Sequence, residues 1–195
     1  ALRAELGLAD EHRLIGITAR IQARRRWDLL WDLCAELPAD VQVCVLGRPD
    51  AGVFEELCSG PLRARGLEQR VHFLGYRQGD AYFEALRGLD AFTFLVPGSD
   101  ATCRALREAM ACALPVVVTD SGLLPRLVDS GTTGRVCPAD ARALAAALTQ
   151  LLEDRSDWRA LGEAARQHAL ESWAAPRIAA ALAELYADVD AELSG

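Results

Sequence analysis

Ala91-Phe-Thr-Phe-Leu-Val-Pro-Gly-Ser-Asp100-Ala-Thr-Cys-Arg-Ala-Leu-Arg-Glu108-Ala-Met-Ala-Cys-Ala-Leu-Pro-Val-Val-Val118 decides the fold. Ala91–Leu95 and Pro115–Val118 are short and nearly apolar throughout, as parallel strands covered on both faces are. Between them, Ala101–Ala113 carries a helical apolar pattern. Strand, helix and strand in this order predict a parallel unit with a right-handed crossover. The alternation continues outward in both directions. Leu14–Thr18, Val41–Leu46 and Val71–Leu74 read as earlier strands, and Arg135–Cys137 as a short sixth after the turn Gly131-Thr-Thr-Gly134. Helical patterns over Trp27–Glu36, Ala51–Arg63, Asp80–Gly88 and Leu123–Asp129 fill the gaps. The expected fold is α/β: a doubly wound, Rossmann-like, mostly parallel six-stranded sheet with helices on both faces. Residues 139–195 form a helical tail, predicted over Ala141–Asp154, Trp158–Glu171 and Ala175–Ala191, with Asp140 capping the first of these helices.

Composition narrows the function. The 195 residues are 51% hydrophobic and 25% charged, which suits a globular core. A net charge of -7 argues against a general nucleic-acid binder, which needs a basic surface. All 21 basic side chains are arginine, so Schiff-base and P-loop lysine chemistry is excluded. The six cysteines form no CxxC pair and sit beside no histidine at ligand spacing, which predicts buried thiols in a reducing, cytoplasmic setting and no metal site. No apolar run approaches the roughly 20 residues that cross a bilayer. The charged start without Met predicts a piece of a longer chain.

In a doubly wound sheet, ligands bind beyond the carboxyl ends of the strands, near the point where strand order reverses. Two loops there carry chemistry. After Thr18 come Arg20, Arg24, Arg25 and Arg26, a cluster suited to gripping phosphate through paired, charge-assisted hydrogen bonds; a solvated basic turn is the alternative. No GxGxxG follows this strand, which disfavours a nicotinamide or flavin dinucleotide. After Leu95, Asp100 (or Ser99) is suited to cap the next helix, leaving the N–H groups of Ala101, Thr102 and Cys103 for a phosphate. Glu108 lies about 12 Å further along that helix, the reach of a nucleoside diphosphate sugar. A cap and an exposed helix glutamate is the plainer reading of this pair. Arg104, in the first turn, opposes the helix dipole and hints at a nearby anion; a salt bridge to Asp100 or Asp120 explains it equally. His72 reads as structural, and His12 and His168 as surface residues.

Asp100-x7-Glu108-Ala-Met-Ala-Cys-Ala-Leu-Pro-Val-Val-Val-Thr-Asp-Ser-Gly122 resembles the E-x7-E signature and following strand of family 4 retaining glycosyltransferases, which have the GT-B fold. The resemblance covers nearly the whole chain. Thr18-Ala-Arg20-Ile with Arg25 is similar to the family's Gly-Arg-Leu…Lys-Gly phosphate loop. Val71-His-Phe-Leu-Gly75 looks like the loop that meets the nucleobase. Gly131-Thr-Thr-Gly134 matches the turn before the last strand, and Trp173 with the final helix resembles the C-terminal helix that crosses towards the other domain. The resemblance implies that residues 1–195 are the donor-binding domain of a two-domain enzyme, with the N-terminal acceptor domain outside this chain. It implies Arg20 and Arg25 on the diphosphate, Glu108 on the ribose, Asp100 on the transferred sugar, and the backbone of Gly75 and Tyr76 at the base. Ala101, Thr102, Cys103 and Arg104 complete the implied donor site. The implied partners are a nucleotide sugar and a glycan or lipid-linked acceptor, with no metal cofactor and a site of action at the inner face of the membrane.

The chain departs from this pattern at four glycines. The family's Glu-Gly-Phe-Gly is Asp100-Ala-Thr-Cys103, its Lys-Gly is Arg25-Arg26, and its glycine before Leu-Pro-Val-Val is Ala113. Asp100 is also one methylene shorter than glutamate, and Arg126 replaces a glutamate. Two other functions stay open on sequence: a nucleotide-sugar epimerase of the same fold, and a non-catalytic nucleotide-binding or partner module. A phosphorylase of this fold needs a pyridoxal lysine, which the chain lacks.

Overall fold

The structure, a computed structural model, describes residues 2–97 and 102–194, with no side-chain description for 155 and 191–194. Six strands form one sheet: β1 (Arg13–Thr18), β2 (Val41–Leu46), β3 (Val71–Gly75), β4 (Ala91–Phe94), β5 (Val116–Thr119) and β6 (Arg135–Cys137). Their order is β3-β2-β1-β4-β5-β6, and every pairing is parallel. The chain winds outward from β1 to β3, returns to place β4 beside β1, and winds outward again. The reversal lies between β1 and β4.

The helices are α1 (Leu2–Glu5), α2 (Trp27–Glu36), α3 (Gly60–Arg65), α4 (Gly79–Arg87), α5 (Arg104–Ala111), α6 (Leu124–Leu127), α7 (Ala141–Glu153), α8 (Arg155–Trp173) and α9 (Ala175–Ser194). Alternate strand residues feed two cores. Ile15, Ile17, Val43, Val45 and Val117 face α2, α3 and α7, whereas Leu14, Cys44, Leu46, Val116 and Val118 face α4, α5, α6 and α8. The period of two in a strand sends neighbours to opposite faces, so strands covered on both sides must be apolar at every position. The threonines within β4 and β5 obey the same constraint by bonding across the sheet. Thr93 Oγ1 donates to the Val117 carbonyl at 3.0 Å, and Thr119 Oγ1 to the Leu95 carbonyl at 2.5 Å.

Several helices differ from their expected limits: α6 is shorter (Leu124–Leu127), α8 begins at Arg155, α9 runs to Ser194, and two others differ for reasons visible in the packing. Instead of a single helix from Ala51, a π-helical turn spans Glu55–Ser59 and leads into α3. Pro61, lacking an N–H, sits in the first turn of α3, where that loss costs least. Gly60 N–H reaches back to the Glu55 carbonyl, and the Leu57 carbonyl accepts the buried Trp31 indole N–H at 2.6 Å. The helix expected from Ala101 begins at Arg104, because Cys103 takes the left-handed conformation (φ 49°) and occupies the N-cap position assigned on sequence to Asp100 or Ser99. The first N–H groups of α5 therefore belong to Arg104 and Ala105 rather than to Thr102 and Cys103, and Ala101 lies outside the described residues. Asp140 does cap α7, its carboxylate accepting from Ala143 N–H at 2.9 Å.

The six cysteines are free thiols, and burial pushes Cys34, Cys44 and Cys58 up to about 12. His72 is tied to Gln42 Oε1 at 2.9 Å through Nε2, as its structural reading requires. His12 and His168 are half-buried rather than at the surface, and His168 meets the Trp173 ring edge-on at 4.9 Å. Among the described residues, no helix is long and apolar enough to cross a membrane.

Candidate functional site

At the carboxyl ends of β1 and β4, where the strand order reverses, lies a cleft of about 580 Å³. Five segments build it: the loops after β1, β2 and β3, helix α4, and the first turns of α5. The β1 loop is held by its neighbour. Ala19 N–H donates to the Leu46 carbonyl (3.1 Å) and Ile21 N–H to the Arg48 carbonyl (3.0 Å). The approach is close enough that a Cβ on Gly47 would fall 2.0 Å from the Ala19 carbonyl oxygen. Sequence supplies glycine where a side chain on the β2 loop would strike the Ala19 carbonyl.

The basic run sorts into two pairs. Arg20 and Arg25 line the cleft. Arg24 bonds Gln22 Oε1 at 2.9 and 3.1 Å, and Arg26 pairs with Asp28 at 3.2 Å, so neither is spent there. Arg25 donates from Nη1 to the Pro97 carbonyl at 3.2 Å, joining the β1 loop to the segment after β4 across the reversal point. Arg20 stands 3.9 Å from Asp50 in an exposed pair, a contact that costs little to exchange for a ligand.

Helix α5 enters from the opposite side. Cys103, Arg104 and Glu108 line the cleft, with Glu108 one turn above Arg104 and 3.5 Å from it. Four residues separate the two on one helix face, so the pair is an ordinary i,i+4 contact. Arg104 makes no described ion pair with Asp120; Asp100, Ala101 and Ser99 lie outside the described residues. Thr102 is exposed beside the cleft, and Arg107 lays its guanidinium over the Trp173 ring at 4.9 Å.

The third wall is the β3 loop. Gly75 takes φ 68° and accepts Gly47 N–H at 2.9 Å, which ties the β2 and β3 loops together. Tyr76, 62% exposed, lies under Arg48, whose guanidinium sits 5.7 Å from the ring centre. Thr18, Ala19, Gly47, Arg48, Tyr76 and Gln78 enclose a side recess of about 360 Å³. A flat aromatic face, a guanidinium and a side-chain amide suit a planar heterocycle.

Sequence reasoning missed Arg77 and Tyr82, which also line the cleft. Arg77 sits in a loop already marked as base-binding, so its charge was a usable signal. Tyr82 gave none, because an aromatic on the inner face of an amphipathic helix reads as core. The cleft thus brings Arg20, Arg25 and Arg104 around Glu108, with Arg77 held by Glu5 at its edge, in a chain whose net charge is -7. Such a surface attracts an anion carrying hydroxyl groups: arginines for the charge, the carboxylate for the hydroxyls. No group of three or more His, Cys, Asp or Glu among the described residues is placed to hold a metal ion.

A cleft of this chemistry at the reversal point of a doubly wound parallel sheet defines an anion-binding α/β class. The chain belongs to the family of glycosyl transferases group 1, whose model matches residues 1–168. It is 27% identical over 189 residues to N-acetyl-alpha-D-glucosaminyl L-malate synthase of Bacillus anthracis, covering 96% of this chain and 49% of that protein. It is 32% identical to a D-inositol 3-phosphate glycosyltransferase of Mycolicibacterium vanbaalenii, covering 89% of this chain and 40% of the relative. Among solved structures, Anabaena HepE in complex with UDP and glucose superposes with a TM-score of 0.85 at 26% identity, over 96% of this chain and 51% of that one. The chain therefore spans about half the length of the relatives it matches.

Proposed function

We propose that this chain is the donor-binding half of a retaining glycosyltransferase that moves a sugar from a nucleotide sugar to an acceptor hydroxyl. The observation that carries this reading is the meeting of Arg20, Arg25 and Glu108 in one cleft at the sheet's reversal point. Arg20 and Arg25 hold the diphosphate, aided by the N–H groups of Arg104 and Ala105 at the start of α5. As the sugar departs, negative charge builds on the diphosphate, and these fixed donors stabilise it without reorganising. Glu108 accepts from the ribose hydroxyls, the recess at Tyr76 takes the base, and Asp100 meets the transferred sugar. No metal is required, since guanidinium groups supply the charge. The complexes of Anabaena HepE with UDP and with UDP-glucose support a nucleotide-sugar ligand.

The acceptor, a glycan or lipid-linked glycan, binds on the remaining half of the protein. Helix α9 supports that division. Ile178, Leu182, Leu185 and Val189 form an exposed apolar stripe along it, a surface for the missing half to cover. The isolated chain then binds nucleotide and turns over little.

Titration calorimetry with UDP, GDP and ADP tests the reading. At least one binds, and Arg20→Ala and Glu108→Ala each weaken it by more than about 1 kcal/mol. No binding at millimolar ligand would overturn the proposal. Affinity unchanged from the parent in both variants would favour a partner module instead.

A further inference from the structure

Tyr82 stands on α4, its ring 8% exposed and packed edge-on against Phe83 at 5.3 Å. Tyr82 lines the cleft together with Thr18 and Glu108. Its hydroxyl donates to Thr18 Oγ1 at 3.4 Å, a long bond that leaves the donor poorly used. The Glu108 carboxylate also acts on this hydroxyl, more strongly than the Cys112 thiol does. Burial pushes the phenol up, well beyond the usual tyrosine range, so it stays protonated and keeps its hydrogen to donate.

Glu108 needs such a donor. An ionised carboxylate only accepts, and its direction is set by the donors around it. Its ion-pair partner, Arg104, has a side chain 81% exposed, against 27% for Glu108. A solvated arginine on a flexible stem fixes direction weakly. Tyr82 is different: two torsions, a ring locked by packing, and a hydroxyl delivered from a separate element. Thr18 at the end of β1, Tyr82 on α4 and Glu108 in the second turn of α5 thus share the lining of one cleft.

We propose that Tyr82 is a positioning residue, whose hydroxyl turns from Thr18 to Glu108 and aims the carboxylate at the ribose hydroxyls of the bound nucleotide. This rests on reading Glu108 as the ribose ligand. It makes ribose recognition a property of the Tyr82–Glu108 pair, with the ring serving as a rigid mount.

The test measures ribose preference: the affinity of UDP over 2′-deoxy-UDP, and of GDP over 2′-deoxy-GDP, by calorimetry. The parent chain prefers the ribonucleotide by about 10-fold, the scale of one hydrogen bond to a charged group. Tyr82→Phe keeps the ring and its packing. It brings the preference to within about 2-fold while deoxynucleotide affinity holds. Tyr82→Met, a second change that removes the hydroxyl, does the same. Glu108→Gln also loses the preference, and Tyr82→Phe adds no further loss in that background. A full preference in both Tyr82 variants overturns the inference and leaves the role of Glu108 standing. An equal loss for ribo- and deoxynucleotide also overturns it, since that marks packing alone. If the parent chain binds neither nucleotide, the donor-site reading falls and takes this inference with it.

Discussion

Three described residues other than glycine have positive φ: Arg26 at 54°, Cys103 at 49° and Ala113 at 59°. Each stands where the glycosyltransferase pattern has glycine. The backbone has kept its left-handed turns while the sequence has lost the residue that adopts them freely. A Cβ in that region costs about 1–2 kcal/mol. Ala113 gives the cleanest measure, since its side chain is only a methyl. We expect Ala113→Gly to raise stability by roughly 0.5–1 kcal/mol, after the added entropy of the unfolded chain is set against the relieved strain. A thermal melt that shifts upward checks this; one that shifts downward shows that the methyl packs better than the turn is strained. Cys103 is buried, so glycine there would also forfeit a packed sulfur and gain less.

At the scale of elements, helix α8 touches the turn between α5 and β5 through Gly162. A Cβ there would come 2.2 Å from the Ala113 carbonyl oxygen, which is backbone and cannot swing aside. Gly162→Ala should push α8 outward and cost about 1–3 kcal/mol, visible as a lower denaturant midpoint with unchanged slope. The six strands were legible within a residue or so at their ends because β1, β2, β4 and β5 are buried on both faces and so nearly apolar, while the half-buried β3 and β6 still carry short apolar runs. Helix starts were less so. Ser99 and Asp100 are good caps by local preference, yet the chain enters α5 through Cys103 in a conformation that preference does not encode. The π turn at Glu55–Ser59 was invisible for a similar reason, since one added residue hardly disturbs an apolar pattern. In the site, Glu108 was legible through its spacing on the helix and Arg20 and Arg25 through clustering. Tyr82 was not, because its role depends on three elements meeting in space.

For the whole molecule, two expectations concern stability. His72 is half-buried beside Gln42, and this partial burial, reinforced by the charge of His12, pulls its pKa below the usual histidine value. The unfolded chain therefore takes up a proton there before the folded chain does. Stability is full above the unfolded value of about 6.5, and is lost as pH falls from there towards the folded value. Melting temperature should drop between pH 7.5 and 5.5, about as far as one histidine allows, and His72→Gln should flatten the slope. Asp40 acts lower: the Arg13 hydrogen bond depresses its pKa, so its contribution is present above about pH 4 and fades as pH falls through the folded value. The second expectation concerns α9. The described side chains from Ala175 to Asp190 are all exposed, and neither core draws on them. Deleting α9 should cost less than about 1 kcal/mol in chemical denaturation, because little apolar area is lost from water-free packing. A larger loss would mean that α9 braces α8.

The strand order sets a timetable as well as a shape. β1, β2 and β3 pair with near neighbours in the chain, and so do β4, β5 and β6. The seam between β1 and β4 joins Ile15 to Ala91, across a loop that must close before any contact there repays its entropy. Each half can gather early; the seam forms late. Arg25 reaching Pro97 and Thr18 meeting α4 straddle that seam, so the cleft is among the last features to appear during refolding. Nucleotide binding should recover with the slowest phase, after the bulk of the helical signal has returned, and a ligand in the cleft acts as a clasp on the two halves of the sheet.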